Sequence, residues 1–272
     1  MDNFGEWVNN ITDINKTFIN NKPFPHIIID NFLSESFIEK INLEFPTNYD
    51  NWHKYNNPLE VKYTYDSIDK LNNCDNIKLL FKLLSSSQDI FSKISNIPLL
   101  ESDPTFHGSG LHVQPRDGRL SIHLDYEKHP ILNNKQRRLN LILYISKDWN
   151  KEWNGATELW DNQKCIVQSD VKFNSAILFQ TSDISWHGVP KKIKCPENIF
   201  RKTIAYYYLS PIVASDSQDK IGNDGSGYRT KATYINVEND PRIDEFLKIR
   251  PFRRIELEDI QKHWPEWNSK EN

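Results

Sequence analysis

"GSGLHVQPRDGRLSIHLDY" (residues 108–126) decides how this chain is read. Two short runs of apolar and polar residues flank Pro115-Arg116-Asp117-Gly118, a strong turn signal, so the stretch reads as strand, turn, strand. In a strand, residues i and i+2 share a face. The second run therefore projects His123 and Asp125 together while Leu124 points away. Two groups able to hold a metal converge.

The same texture continues outward in the C-terminal direction. "RRLNLILYIS", "ATELWD", "CIVQ", "SAILFQT" and "RKTIAYYYLS" are short apolar or alternating runs, separated by "NNK", "KEWNG" and "DNQ". Closely spaced strands of this kind predict an all-β sandwich or jelly roll from about residue 105 to 211. Toward the N-terminus the pattern changes. "PFPHIIIDNFLSESFIEKINLEF" (23–45) reads as a strand, His26 to Asp30, then a helix with Ser34 as N-cap, and "NIKLLFKLLSSSQDIFSKISNI" (76–97) as one or two amphipathic helices with "SSSQ" as a break. The front third, 1–104, is thus expected to be mainly helical. Beyond it "ASDSQDKIGNDGSG" (214–227) reads as a mobile loop, and the tail adds two helices. The expected whole is α+β with a mainly β core, a single domain over 1–211 and an extension over 212–272 packed on it.

Composition limits the function classes. The 272 residues carry 34 basic and 37 acidic side chains, a net charge of -3, without the basic block of a nucleic-acid binder. The aromatic fraction of 12% rules against a disordered chain. No apolar run approaches a membrane span, and the first residues lack a secretory signal, so a cytoplasmic protein is expected, with neither nucleic acid nor membrane as partner. Cys74, Cys165 and Cys195 lie far apart, which predicts reduced thiols rather than a zinc knuckle or disulfide framework.

Downstream, "FNSAILFQTSDISWHGVP" ends an apolar strand in a turn followed by His187, a possible third ligand. "FRKTIAYYYLS" puts Arg201 and Thr203 on one strand face. Two histidines and a carboxylate on neighbouring strands leave three positions of an octahedral metal open, an arrangement suited to Fe(II) oxygenases. Arg201, on the next strand, offers a planar fork for a carboxylate. Taken singly, each residue has an ordinary structural explanation; their order on successive β-like segments outweighs it. His107, His112 and His129 have no partner spacing and are expected to be structural or exposed, and the three tyrosines 206–208 to serve strand packing.

These residues resemble the non-haem Fe(II), 2-oxoglutarate-dependent dioxygenases, within them the prolyl 4-hydroxylase-like branch. "HLD", "WHGV" and "RKT" are similar to that family's H-x-D, distal histidine and R-x-S/T elements, in its order. "KDWNKEWNGATELWD" and "KPFPHIIIDNFLSESFIEKI" look like its connecting segments, with Gly155-Ala156 where two glycines are usual. The resemblance covers roughly 22–211. It implies a double-stranded β-helix and Fe(II) held by His123, Asp125 and His187. The C5 carboxylate of 2-oxoglutarate would sit on Arg201, with Thr203 and Tyr144 assisting. Period-2 alternation in "RRLNLILY" puts Arg138, Asn140, Ile142 and Tyr144 on one face. Gln114 stands where the branch often has a tyrosine, and Gln114 and Asn140 are candidates for pocket contacts. The implied reaction hydroxylates an unactivated C–H bond with O2, releasing succinate and CO2, with ascorbate the reductant to test. A peptidyl residue such as proline is the first expected substrate, a small molecule the second. A metal-binding jelly roll without catalysis is the third reading.

Overall fold

The computed structural model describes residues 3–212 and 228–267. The predicted loop 214–227 lies outside the described residues. A 3₁₀ turn leads into α1 (Ile11–Asn20), and then come β1 (His26–Ile29), α2 (Glu35–Glu44), β2 (His53–Asn57), β3 (Glu60–Tyr65), α3 (Asp75–Ser85), α4 (Gln88–Ser95) and β4 (Glu101–Ser102). The core strands are β5 (Gly110–Gln114), β6 (Arg119–Leu124), β7 (Lys135–Tyr144), β8 (Thr157–Trp160), β9 (Cys165–Ser169), β10 (Ala176–Gln180), β11 (Trp186–Val189) and β12 (Arg201–Pro211). Short β13 (Thr233–Tyr234), α5 (Pro241–Ile249) and α6 (Leu257–His263) complete the described chain.

The strands follow the order β1-β10-β7-β12-β5-β3-β6-β11-β8-β9, with β13 beside β6, β2 beside β3 and β4 beside β12. Every pairing is antiparallel, and the sheet curls into the expected jelly roll with helices at both ends. Alternation along β7 and β12 separates two compartments. Leu139, Leu141 and Leu143, with Ile204, Tyr206 and Tyr208, face the N-terminal helices and join Phe18, Phe32, Ile41, Phe81, Leu84 and Phe91 in one core. Each such buried side chain stabilises the fold by about 1.5–3 kcal/mol. The intervening residues Asn140, Ile142, Thr203, Ala205 and Tyr207 line the opposite, inner side. The helical pack therefore covers one face of these strands, and their other face lines the interior of the barrel.

One element differs from the sequence reading. The hairpin β2–β3 lies within the stretch expected to be mainly helical, and β3 inserts between β5 and β6. Its β-branched and aromatic residues favour a strand, but "HKYNN" and "EVKYTY" are half-exposed on both faces, so no clean alternation marks them. The two C-terminal helices form and dock. Tyr234, Ile243, Phe246 and Ile260 make a second small core with Leu59 of the hairpin turn. Buried Arg119 ties this unit to β6 through an ion pair with Glu238 at 2.9 Å. Among the described residues no helix is long and apolar enough to cross a membrane, and all three cysteines are free thiols.

Candidate metal and co-substrate site

His123 and His187 face each other in register across β6 and β11, ring centroids 4.4 Å apart. The strands approach closely here because position 188 is glycine: a Cβ on Gly188 would lie 2.6 Å from the Leu120 carbonyl oxygen. Asp125 sits one residue past the end of β6. Its oxygens lie 3.5 Å from His123 Nε2 and 3.4 Å from His187 Nε2. The three ligand atoms lie within 4.8 Å of one another, and among the described residues no other such group is formed.

The histidine tautomers follow from their second nitrogens. His123 Nδ1 lies 2.9 Å from the Ser121 carbonyl oxygen, and His187 Nδ1 lies 2.8 Å from that of Ser185. A carbonyl oxygen only accepts, so each Nδ1 donates and each Nε2 is the nitrogen turned inward. Burial, with His123 adding to it, pushes His187 down to about 3, which keeps it neutral. Burial works against the charge of Asp125. Arg137, His187 and His123 together outweigh it and hold the carboxyl well below the usual range. Two neutral nitrogens and one carboxylate are the protonation states a divalent ion requires.

Asp125 is fixed from behind. Arg137 lies 3.1 Å from Asp125 Oδ2, Asn140 donates to the same oxygen at 2.7 Å, and Arg137 Nε donates to Asn140 Oδ1 at 2.7 Å. Strict alternation would have put Arg138, not Arg137, on the face of Asn140. Between β7 and β12 the pairing steps from Tyr208↔Leu139 to Leu209↔Arg137, a bulge at Arg138. The extra residue flips the face, bringing Arg137 inward over the ring of Tyr207, 3.2 Å from its centroid.

Deeper in the barrel lies Arg201, 4% exposed. Its Nε donates to the Gly155 carbonyl at 2.6 Å, one terminal nitrogen to Gln114 Oε1 at 2.9 Å, the other to Thr157 Oγ1 at 3.0 Å. Gly155 has φ 93°, and a Cβ there would meet the Arg201 side chain at 3.2 Å, so glycine lets the backbone reach the guanidinium. Tyr144 is fully buried under Arg201, its hydroxyl 2.8 Å from Thr157 Oγ1 and 3.0 Å from the Ser169 carbonyl. Thr203 pairs with Tyr144 on one side and His112 on the other. Among the described residues no carboxylate pairs with Arg201, and burial lowers its pKa from the ordinary value. Gln114 Nε2 and His112 Nε2 are buried without hydrogen-bond partners. A buried cation flanked by unpaired polar groups is costly unless an anion completes it.

One pocket joins these parts: Gln114, Asn140, Thr203 and Arg201 share it with His123, Asp125 and His187. Of the residues named from sequence, Tyr144 alone stands behind its wall. The sequence missed Arg137, Thr157, Tyr207 and Lys62. Thr157 could have been found in "GATELW", whereas Arg137 depends on a bulge and Lys62 on an unforeseen hairpin. His112, expected to be structural or exposed, faces this pocket, while His129 is a buried structural partner of Asp103 at 3.1 Å. Of the three tyrosines, 206 and 208 pack in the core as expected and Tyr207 faces the site.

Residues 109–209 match the model of the 2OG-Fe(II) oxygenase superfamily. The prolyl 3-hydroxylase OGFOD1 of Mus musculus is 27% identical over 198 residues, 70% of this chain and 33% of the relative. The chain thus spans about a third of the length of the curated relative it matches. A Trichoplax adhaerens prolyl hydroxylase, solved in complex with a peptide fragment of the hypoxia inducible factor oxygen degradation domain, superimposes with TM-score 0.53 at 16% identity, over 75% of this chain and 93% of its own. A Pseudomonas putida prolyl-4-hydroxylase gives TM-score 0.53 at 11% identity, over 74% and 100%. These likenesses establish the fold.

Proposed function

We propose that this protein is a 2-oxoglutarate-dependent hydroxylase of a peptidyl residue, proline first, with residues 109–209, which match the model of the 2OG-Fe(II) oxygenase superfamily, as its catalytic core. The observation that carries the reading is Arg201, a buried guanidinium without a carboxylate partner among the described residues, in the same pocket as two inward-facing imidazoles and a carboxylate. The residues fit both groups the family requires. His123, Asp125 and His187 would hold the ferrous ion, and Arg201 the distal carboxylate of the 2-oxo acid, with Thr203 and the free amide of Gln114 beside it.

Bound together, Fe(II), the 2-oxo acid and O2 supply the oxidising power that converts a C–H bond to C–OH, with succinate and CO2 as co-products. The chain's own contribution is placement. Ser121 and Ser185 carbonyls set the histidine tautomers, and Arg137 with Asn140 holds Asp125 ionised and oriented. Tyr144 and Thr157 keep the guanidinium aimed inward.

The mouse relative's name and the Trichoplax complex favour a peptidyl substrate. The wide cleft outside His123 and Asp125 agrees with a chain rather than a buried metabolite, being about 680 Å³ and walled by the β2–β3 hairpin, Tyr126, Pro130 and residues 230–234. The test is anaerobic titration with Fe(II) and 2-oxoglutarate, read by the visible band of a chelated 2-oxo acid. A band that needs both additions and is lost in His187→Ala supports the reading. A folded protein that gives no band overturns it.

A further inference from the structure

The outer cleft has a charge balance of its own. Its acidic residues are engaged: Glu60 pairs with Lys62 at 3.3 Å, Asp125 with Arg137 at 3.1 Å, and the Glu256 carboxylate caps the N-terminus of α6. Its cations Lys54, Lys231, Arg250 and Arg254 have no carboxylate partner among the described residues. Lys54 and Arg254 are exposed, Lys231 and Arg250 half-buried. They come from three separate places in the chain, the hairpin strand β2, the segment before β13 and the α5–α6 connection, and converge on one concavity that ends at His123 and Asp125. A concave wall with unneutralised charge of one sign selects ligands of the other sign.

The backbone adds a second feature. β2 pairs only with β3 among the described residues, so its outer edge keeps amide and carbonyl groups without sheet partners, and all five of its residues line the cleft. An open edge beside a specificity pocket is the geometry of strand addition, where main-chain bonds give affinity and side-chain pockets give selectivity. Tyr55, Tyr126 and Tyr207 supply apolar surface along the same path.

We propose that the cleft binds an acidic peptide, extended along the free edge of β2, with its carboxylates on Lys54, Lys231, Arg250 and Arg254 and its target residue presented to His123 and Asp125. This rests on the hydroxylase reading for the fate of the target residue, while the binding stands on the cleft alone. Acidic residues on both sides of the hydroxylated position are then the specificity determinant.

Fluorescence anisotropy on the full chain tests this without turnover. The probes are a labelled peptide with a central proline flanked by aspartate and glutamate, and the same peptide with lysines in their places. At low salt the acidic peptide should bind about tenfold tighter, the sum of several exposed ion pairs, and the advantage should shrink at high salt. Lys54→Glu with Arg254→Glu, two exposed changes outside the site of chemistry, should invert the preference. N-methylation of alternate amides in the acidic peptide should abolish binding. Equal affinity for both peptides, or a preference unmoved by the double reversal, overturns the charge assignment. Indifference to N-methylation overturns the strand addition. Peptide selection with no Fe(II)–2-oxoglutarate band sinks the hydroxylase reading and leaves the cleft proposal standing; a band with no peptide selection does the reverse.

Discussion

The inner pocket and the outer cleft meet at His123 and Asp125 but are built on opposite principles. The inner pocket comes from paired strands β3, β5, β6, β7, β8, β11 and β12, and its polar groups are held by named neighbours or, like Gln114 Nε2 and His112 Nε2, left without a partner. The outer cleft adds the β2–β3 hairpin and residues 230–260, which lie outside 109–209, and of its cations Lys54 and Arg254 are exposed while Lys231 and Arg250 are half-buried. Preorganised buried charge suits a chemistry that must not vary, whereas exposed charge on peripheral elements can change without disturbing it. Changes inside should thus affect the metal and co-substrate, and changes outside only the prime substrate.

The sharpest way to break this comparison is Asp125→Ala. It removes one of the three proposed ligands and takes from Arg137 its carboxylate partner, and Fe(II)-dependent succinate release should fall below detection. Turnover near the wild-type level would show that the metal lies elsewhere. Arg201→Ala comes next. The requirement for 2-oxoglutarate should rise by about 10–100-fold on losing a charge-assisted bidentate contact, and Arg201→Lys should not restore it, because an ammonium lacks the fork. In thermal unfolding the wild type should be stabilised by 2-oxoglutarate and Arg201→Ala should not, whatever its own melting temperature.

Asn140→Ala should weaken Fe(II) binding about 10-fold, the scale of a lost partner behind a metal ligand, with little change in the 2-oxoglutarate requirement once iron saturates. Metal titration by fluorescence quenching would read it. Tyr234→Ala sharpens the boundary between the two regions. The Tyr234 ring is stacked on His123 at 5.3 Å, so its loss should raise the KM of a peptide substrate several-fold and leave the Fe(II)–2-oxoglutarate band in place.

The smallest effect concerns pH. Burial, then Lys62 and Arg201, pushes His112 from its ordinary 6.5 down to about 3. Between those values the unfolded chain binds a proton there that the folded one does not, so stability falls as pH drops through 6.5 and below. His112→Gln should lessen that slope in denaturant titrations at pH 7 and pH 5, His187 supplying part of what is left. An identical slope in the variant would remove His112 as its source.

Much of the inner pocket was legible because it is written in strand periodicity. "HLD" and "RKT" put pairs of functional residues on one face at spacing i, i+2, and the structure keeps both pairs together. The first lapse in alternation is where reading failed. A single bulged residue at Arg138 turned Arg137 inward, and no local pattern marks a bulge set by the partner strand. The hairpin escaped for a related reason, since its strands bury neither face cleanly and their pairing with β5 and β6 is made across distant sequence.

By itself, the sequence determined a run of closely spaced strands, as in a sandwich or jelly roll, the helices in front of and behind it, and the order in which His123, Asp125, His187 and Arg201 occur, since these depend on periodicity and turn chemistry within a few residues. Only the tertiary structure decided that β11 brings His187 opposite His123, that Gly155 and Thr157 reach Arg201, and that the C-terminal segment returns to lay Tyr234 on His123. Those contacts join residues tens to more than a hundred positions apart. They are fixed by sheet register and by the packing of both helical units, quantities that no window of sequence contains.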